Sequence, residues 1–442
     1  MGVEQWTTTG EETADEQRDP WILSPAQPGF WRSPLRGPWL TALLGFVLLA
    51  GVTVLIVTGL LSYAAYNPDL ARVNDKTPDK GLLGFYLFSW PTDPHWLYRL
   101  TQGVHVTLGV VLVPVLLAKL WSVVPKLFAL PPVRSVAHAL ERISLLLLVG
   151  GVLFEFVTGM LNVQLDYLFP GSFYRLHFYG AWVFIGAFAA HVTLRFPQAV
   201  RVLRTHGLRA PLRGPAAFRQ EPPDESGLVT PRPAAPTLSR RGLIGLVGGG
   251  SVLLFVVTAG QSIGGPLRRT ALLAPHGGPE PVGGPGGFQI NRSAAVAGVG
   301  TQDTGDGWRL VVRGPDGSTV RLARAELLHM PQHRAELPIA CVEGWSTPDQ
   351  SWSGVRLRDL AALVGAGDAL PALVTSLQTH GSFREAALRD NQVGDPRSLL
   401  ALRVNGADLT PDHGYPARII VPAAPGVLNT KWVASVAFGE LS

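Results

Sequence analysis

What this sequence nearly lacks narrows its chemistry before anything abundant is considered. Among 442 residues only one is cysteine, Cys341. No intramolecular disulfide can form, and zinc or iron–sulfur sites built from several thiolates are excluded. Charged residues make up only 16% against 47% hydrophobic, a balance unusual for a soluble chain of this length. The formal net charge of +5 gives no reason to expect a nucleic-acid partner. The basic residues cluster beside apolar runs, where membrane topology accounts for them. Residues 1–38 are polar and acid-rich, lack the apolar stretch of a cleavable signal peptide, and read as a cytoplasmic N-terminal tail.

What is abundant is long apolar sequence. A helix needs about 20 such residues to cross a bilayer, and five segments supply them: about 39–63, 96–122, 143–164, 173–194 and 242–264. The first four, within 39–200, form a membrane module; 201–241 is a basic loop, and 242–264 is a fifth span. Lys119, Lys126, Arg134 and Arg142 flank one connection, and arginines from Arg195 to Arg241 fill another. Both therefore belong in the cytoplasm. The loop at 64–94 sets Asp69, Asp75, Asp79 and Asp93 against Arg72, Lys76 and Lys80, so it belongs outside. An odd number of spans then places the C-terminal third outside as well. "SRRGLIGLVGGG" (239–250) opens the fifth span with paired arginines, which read either as a twin-arginine export signal or as ordinary positive-inside charges. Residues 265–290, rich in Gly and Pro, read as a tether.

Histidines inside spans need partners. His177 and His191 share one span, and fourteen residues of helix advance about 21 Å and return to the same face. That spacing suits one axial ligand for each of two b-type haems, although a single buried histidine is more often a hydrogen-bonded core residue. His105 stands at the level of His177, and His138, which also reads as an interfacial residue, stands near the level of His191. The expected iron ligands are therefore His105 with His177 and His138 with His191. Gly103, Gly109, Gly151 and Gly180 are expected to admit porphyrin faces, and His95 is expected in a loop at the outer interface.

Residues 291–442 alternate as a mixed α+β domain does. "WRLVVRG" and "STVRLA" pair around Pro315-Asp316-Gly317, "VRLRDLAALVGA" has helical spacing, and "ALRVNGADL" and "ARIIVPAA" return to strand pattern. Cys341 follows the apolar "LPIA" and precedes a turn of small residues. A thiol there is either inert packing or a soft metal ligand.

The words around it distinguish these. "LPIACVEGWS", "WSGVRLRDL", "THGSFREAALRDN", "LALRVNGADLTPDHGYPARIIVP" and "VLNTKWV", in this order, resemble the molybdopterin domain of the sulfite oxidase superfamily, with the closest similarity to the branch of the protein-methionine-sulfoxide reductase catalytic subunit. The resemblance implies Mo-molybdopterin with Cys341 as the protein ligand to molybdenum. It also implies Asn291, Arg292, His380, Arg384, Arg418 and Lys431 as contacts to the pterin and its phosphate. Read singly, Arg384 and Arg418 also suit surface ion pairs, His380 a capped turn and Lys431 a solvated strand end. His413 suits loop ordering, and Trp345 suits the site wall. "CVEGWS" does not reproduce the sulfite oxidase cysteine segment, which disfavours sulfite.

The expected fold is therefore a five-helix transmembrane cytochrome b bundle followed by a sulfite-oxidase-type domain. The expected protein lies in a bacterial cytoplasmic membrane in contact with lipid. It couples quinone or quinol through two haems to oxygen-atom transfer on a small-molecule or protein S-oxide. The alternatives are a sulfite or other small-molecule dehydrogenase feeding quinone, a cytochrome reducing external metal ions, and a non-enzymatic haem protein with a metal-free binding domain.

Overall fold

The computed structural model describes residues 30–70, 88–128, 135–163, 173–212, 227–230, 233–274, 284–367, 370–381 and 383–439, with 25 and 221. Five long helices come first: α1 (Pro38–Ala65), α2 (Leu97–Leu127), α3 (Val136–Asn162), α4 (Tyr174–His206) and α5 (Arg240–Thr258), the last running on through the short α6 (Gly260–Ile263). All five are long and apolar enough to cross a membrane. Their starts and ends lie within a few residues of the apolar runs, except that α3 begins earlier, at Val136, and α4 runs on to His206. Those extra turns are polar or basic, so an apolar count does not see them.

Helix α1 packs on α2, α3 packs on α4, α4 closes against α1, and α5 lies outside against α2. Close approach comes from small residues: a Cβ on Gly51 would fall 2.6 Å from Leu112 of α2. At the end of the bundle where α1 and α5 begin, Arg240 pairs with Glu221 at 3.2 Å, and Glu221 also accepts the Trp39 N–H. Arg240 is only 3% exposed, whereas Arg241 is exposed and donates to the Leu212 carbonyl. The two arginines of the paired motif thus occupy different environments.

Among the described residues the C-terminal region has ten strands: β1 (Arg309–Arg313), β2 (Thr319–Ala323), β3 (His333–Leu337), β4 (Gln350–Arg356), β5 (Ala372–Ser376), β6 (Glu385–Leu388), β7 (Leu399–Val404), β8 (Ala407–Asp408), β9 (Arg418–Ile420) and β10 (Val433–Phe438). One sheet has the order β2-β1-β10-β5-β6, with β1 and β10 parallel. The other runs β3-β4-β7-β8, with β9 also on β7. Because successive strand residues point to opposite faces, β7 serves two cores. Leu400 and Leu402 join Leu310, Val374, Ile419 and Phe438 in the main core. Leu399 and Ala401 face the other way, toward Trp352, Trp345, Cys341 and Phe288. Phe288, within the stretch read as a tether, is thus core, so the ordered domain begins before residue 291.

The two regions are clasped together. Asn67 donates to the Ala387 carbonyl (3.1 Å) and to Gln392 Oε1 (2.9 Å), and Asp69 pairs with Arg389. The Trp90 indole donates to the Ala423 carbonyl at 2.7 Å, and the His95 carbonyl accepts the Ala423 N–H. Asp93 pairs with Arg397 at 2.8 Å. His95 itself meets Asp349 at 3.3 Å, consistent with a loop residue at this junction.

Candidate functional site

Beyond β3 the chain makes isolated bridges from Ala340 to Ser346 and to Pro425 and turns back on itself. The Cys341 N–H donates to the Trp345 carbonyl (2.9 Å) and the Gly344 N–H to the Cys341 carbonyl (3.0 Å). Gly344 has φ +87°, a conformation that L side chains rarely adopt. Its missing side chain matters too, since a Cβ would lie 2.6 Å from Val106 of α2. Cys341 is 6% exposed. Its Sγ lies 3.7 Å from Glu343 Oε2, which also accepts the Trp345 indole N–H at 2.8 Å. Trp345 therefore packs and braces the wall. Burial, and then the Glu343 carboxylate, push the Cys341 thiol well above its ordinary pKa. Left alone the thiol stays protonated; a bound cation is what would hold it as thiolate.

On the same side of the domain stands a cluster of cations. Arg418 is 4% exposed and donates to the carbonyls of His413 (3.0 Å) and Asn429 (3.1 Å). Lys431 donates to the carbonyls of Arg292 (2.5 Å) and Asp412 (3.0 Å) and reaches Asn291 Oδ1 at 3.5 Å. Both side chains flank Gly414, whose Cβ would lie 3.0 Å from Lys431 Cβ and 3.1 Å from Arg418 Cβ. The Arg292 guanidinium fills the space a side chain at Gly381 would need. Asn291, Arg292, Arg418 and Lys431 are thus together, with His380 beside Gly381. Arg418 is no surface ion pair and Lys431 no solvated end. Arg384 is exposed and contributes its carbonyl to the Ser376 N–H. His380 is exposed, with Nδ1 2.8 Å from Thr379 Oγ1, as a turn residue would be. His413 is buried against Phe288 and bound to Thr410, so it orders its loop.

Among the described residues no carboxylate pairs with Arg292, Arg418 or Lys431 within ion-pair distance. Buried polar atoms beside them also lack hydrogen-bond partners: Arg418 Nε, Arg292 Nε, Asn429 Nδ2 and Thr430 Oγ1. Buried donors in this state are costly unless an anion or a polar ligand completes them. The set matches a phosphate-bearing pterin, with Cys341 at one end for a metal. Asn429 and Thr430 are additions that sequence reasoning missed, although both lie in the quoted "VLNTKWV".

The same cluster sets a pH dependence. Burial, and next the neighbouring Arg418, lower the Lys431 pKa from 10.5 to about 7. Between these values the unfolded chain keeps a proton that the folded, cofactor-free domain has released. Stability is therefore expected to rise with pH across this window, by about 1.4 kcal/mol for each unit separating the two pKa values. Urea unfolding of cofactor-free protein in detergent at a series of pH values measures it, and Lys431→Met is expected to flatten the rise.

The second constellation lies in the helices. His105 and His177 face each other with ring centroids 6.2 Å apart and planes at 87°. Each Nδ1 is engaged from behind. That of His105 is 3.1 Å from the Leu55 carbonyl and from Thr58 Oγ1. That of His177 is 3.0 Å from Thr158 Oγ1 and 3.1 Å from Glu155 Oε2. Fixing Nδ1 selects the tautomer that presents Nε2 as a lone pair. A metal–imidazole bond of about 2 Å, plus about 1.1 Å from nitrogen to ring centre, puts two imidazoles sharing a metal roughly 6 Å apart. The rings line a cleft enclosing about 1290 Å³ free of protein atoms, part of it open.

A Cβ on Gly59 would lie 3.1 Å from His105 Cε1, and one on Gly159 would lie 3.4 Å from His177 Cε1. Val-Thr-Gly therefore occurs twice, at 57–59 in α1 and 157–159 in α3, each copy seating one imidazole. That repeat is the signal missed in the sequence. Of the four glycines expected to face a porphyrin, Gly109 lines the cleft. Gly103 meets Ser262, Gly151 meets Phe184 and Gly180 lies under Phe154, so these three serve helix packing. His191 is half-buried on α4 and is not among the cleft residues. His138 lies in the first turn of α3, and its side chain is outside the described residues.

Residues 297–441 match the family described as oxidoreductase molybdopterin binding domain. The uncharacterized oxidoreductase YuiH of Bacillus subtilis (strain 168) is 30% identical over 131 residues, which cover 30% of this chain and 65% of YuiH. Mitochondrial sulfite oxidase of Rattus norvegicus is 29% identical over 160 residues, 30% of this chain and 29% of that protein. The chain thus spans less than two thirds of either relative. The sulfane dehydrogenase SoxCD from Paracoccus pantotrophus is 22% identical, with a TM-score of 0.28 over 30% of this chain and 38% of that one. With a buried thiol, a set of cations that no carboxylate pairs among the described residues, and these sequence matches, residues 297–441 match an oxidoreductase molybdopterin-binding domain, and the relatives support a likeness to the sulfite oxidase superfamily.

Proposed function

We propose that the chain is a membrane-bound molybdenum oxidoreductase that draws electrons from quinol and reduces an S-oxide outside the cytoplasm. The observation that carries this reading is the position of the imidazole pair. Its cleft extends to Val342, the residue after Cys341. Two facing imidazoles with no third His, Cys, Asp or Glu beside them among the described residues are a donor set suited to an ion whose other ligands come from a macrocycle. A b-type haem supplies them. In the same proposal His138 and His191 ligate a second haem near the other membrane face.

When bound, the molybdenum–pterin group supplies oxygen-atom exchange against two electrons. The protein's part is holding and screening. Cys341 ligates the metal; Arg292, Arg418 and Lys431, with Asn291, Asn429 and Thr430, hold the pterin phosphate. His380 and Arg384 sit at the exposed rim. Overall, the sulfur–oxygen bond of the S-oxide breaks, sulfur is reduced by two electrons to the sulfide, and the oxygen leaves as water with two protons. Oxidation of one quinol to quinone releases the two electrons and two protons required. The Glu343 carboxylate beside Cys341 favours a neutral S-oxide over an anion such as sulfite. In this reading all five helices cross a bacterial cytoplasmic membrane, the N-terminus stays inside, and Arg240-Arg241 opens the span that exports the catalytic domain.

The test is elemental analysis and redox difference spectroscopy of purified protein, followed by a panel of S-oxides, N-oxides and sulfite with a quinol analogue as donor. Molybdenum and haem are both expected, with ferrous haem bands bleaching on addition of an S-oxide. Haem without molybdenum would support the non-enzymatic alternative instead, and haem reduction by sulfite would reverse the direction of flow.

A further inference from the structure

Two buried polar residues join the imidazole cleft to the Cys341 turn. Gln102 is 4% exposed and Ser62 is 5% exposed, and both line the cleft. Ser62 Oγ donates to Gln102 Oε1 at 2.7 Å, and the Gln102 amide nitrogen donates to the Val342 carbonyl. A buried amide in apolar surroundings is costly unless both its ends are used, and here they are. Gln102 stands one helical turn before His105 on α2, and Val106, just after it, carries Gly344. Two neighbouring turn carbonyls have other donors: Cys341 O takes the Gly344 N–H and Gly344 O takes the Ser262 hydroxyl. Gln102 is thus the side chain through which α2 holds the residue next to the thiol.

We propose that Gln102, steadied by Ser62, is the positioning residue that couples the two redox sites, by fixing the Cys341 turn against the helix that bears His105. This rests on the functional reading above. One hydrogen bond plus covalent steps along Val342 and Cys341 then link the cleft to the metal ligand. Removing the bond leaves a gap between packed surfaces.

The test compares wild type, Gln102→Leu and Ser62→Ala as full-length, cofactor-loaded protein. Haem difference spectra and midpoint potentials report the cleft. Dimethyl sulfoxide reduction driven by reduced methyl viologen, which bypasses the cleft, reports the catalytic domain. Stopped-flow bleaching of ferrous haem by dimethyl sulfoxide reports the coupling. Gln102→Leu is expected to keep the haem bands and to slow the bleaching by at least about tenfold, well beyond any loss of viologen-driven reduction, since small misplacements cost up to about 100-fold; Ser62→Ala should slow it less. Hydrogen exchange in the peptide 337–348, which needs neither cofactor, should accelerate about fivefold in Gln102→Leu, the equilibrium factor of one lost hydrogen bond. Unchanged bleaching, or an equal loss of viologen-driven reduction, overturns the proposal. Wild type without a haem band overturns the functional reading instead, and the exchange measurement still reports whether the contact exists.

Discussion

Cys341→Ser is expected to empty the metal site and abolish oxygen-atom transfer, whichever electron donor is used. The substitution removes the only thiol in the chain, and a hydroxyl is a harder and less acidic donor than the thiolate it replaces. Even changes to groups behind metal ligands cost about 10- to 100-fold in affinity or activity, so loss of the ligand itself is expected to exceed that range. Molybdenum content measured on purified protein should fall with the activity. Haem spectra should stay as in wild type, because Cys341 lies outside the imidazole cleft. If molybdenum and activity persist in the serine variant, the thiol is packing and the assigned centre is wrong.

The second large effect is expected at the histidines. His105→Ala or His177→Ala removes one of two facing imidazoles and should delete the haem absorbance belonging to that pair. Quinol-driven reduction should fall to background while viologen-driven reduction continues. Truncating a buried ring also leaves a cavity at a cost of roughly 2–5 kcal/mol, so His105→Phe and His177→Phe, which fill the space without a ligand, separate ligation from packing. Full quinol-driven activity in both phenylalanine variants would remove the cleft from the electron path.

The parts of this structure legible in the sequence are those governed by local rules. Helices α1 and α5 follow from long apolar runs without a charge, and β1 and β2 follow from alternation around Pro315-Asp316-Gly317. The pairing of His105 with His177 was readable because helix pitch converts residue spacing into depth. Helix faces were not readable in the same way. Gly103, Gly151 and Gly180 occupy contacts between helices, and nothing local states which neighbour a helix will meet. Thr58 and Thr158 were missed because each acts on a histidine of another helix. Gln102 was missed because its partner, Val342, is on the far side of the chain. Arg418 and Lys431 were recognisable by motif, but spacing could not show that one is buried and the other half-buried with no carboxylate paired to either among the described residues.

The clasp between the α1–α2 connection and the catalytic domain has a mechanical consequence. Asn67, Asp69, Trp90, Asp93 and His95 hold that domain at several separated points, and the Cys341 turn itself rests on α2. In the proposed function such a mounting replaces a swinging arm: charge delivered from the bilayer would reach the catalytic centre along a hard-wired route, with no diffusive search by a roaming domain between one turnover and the next.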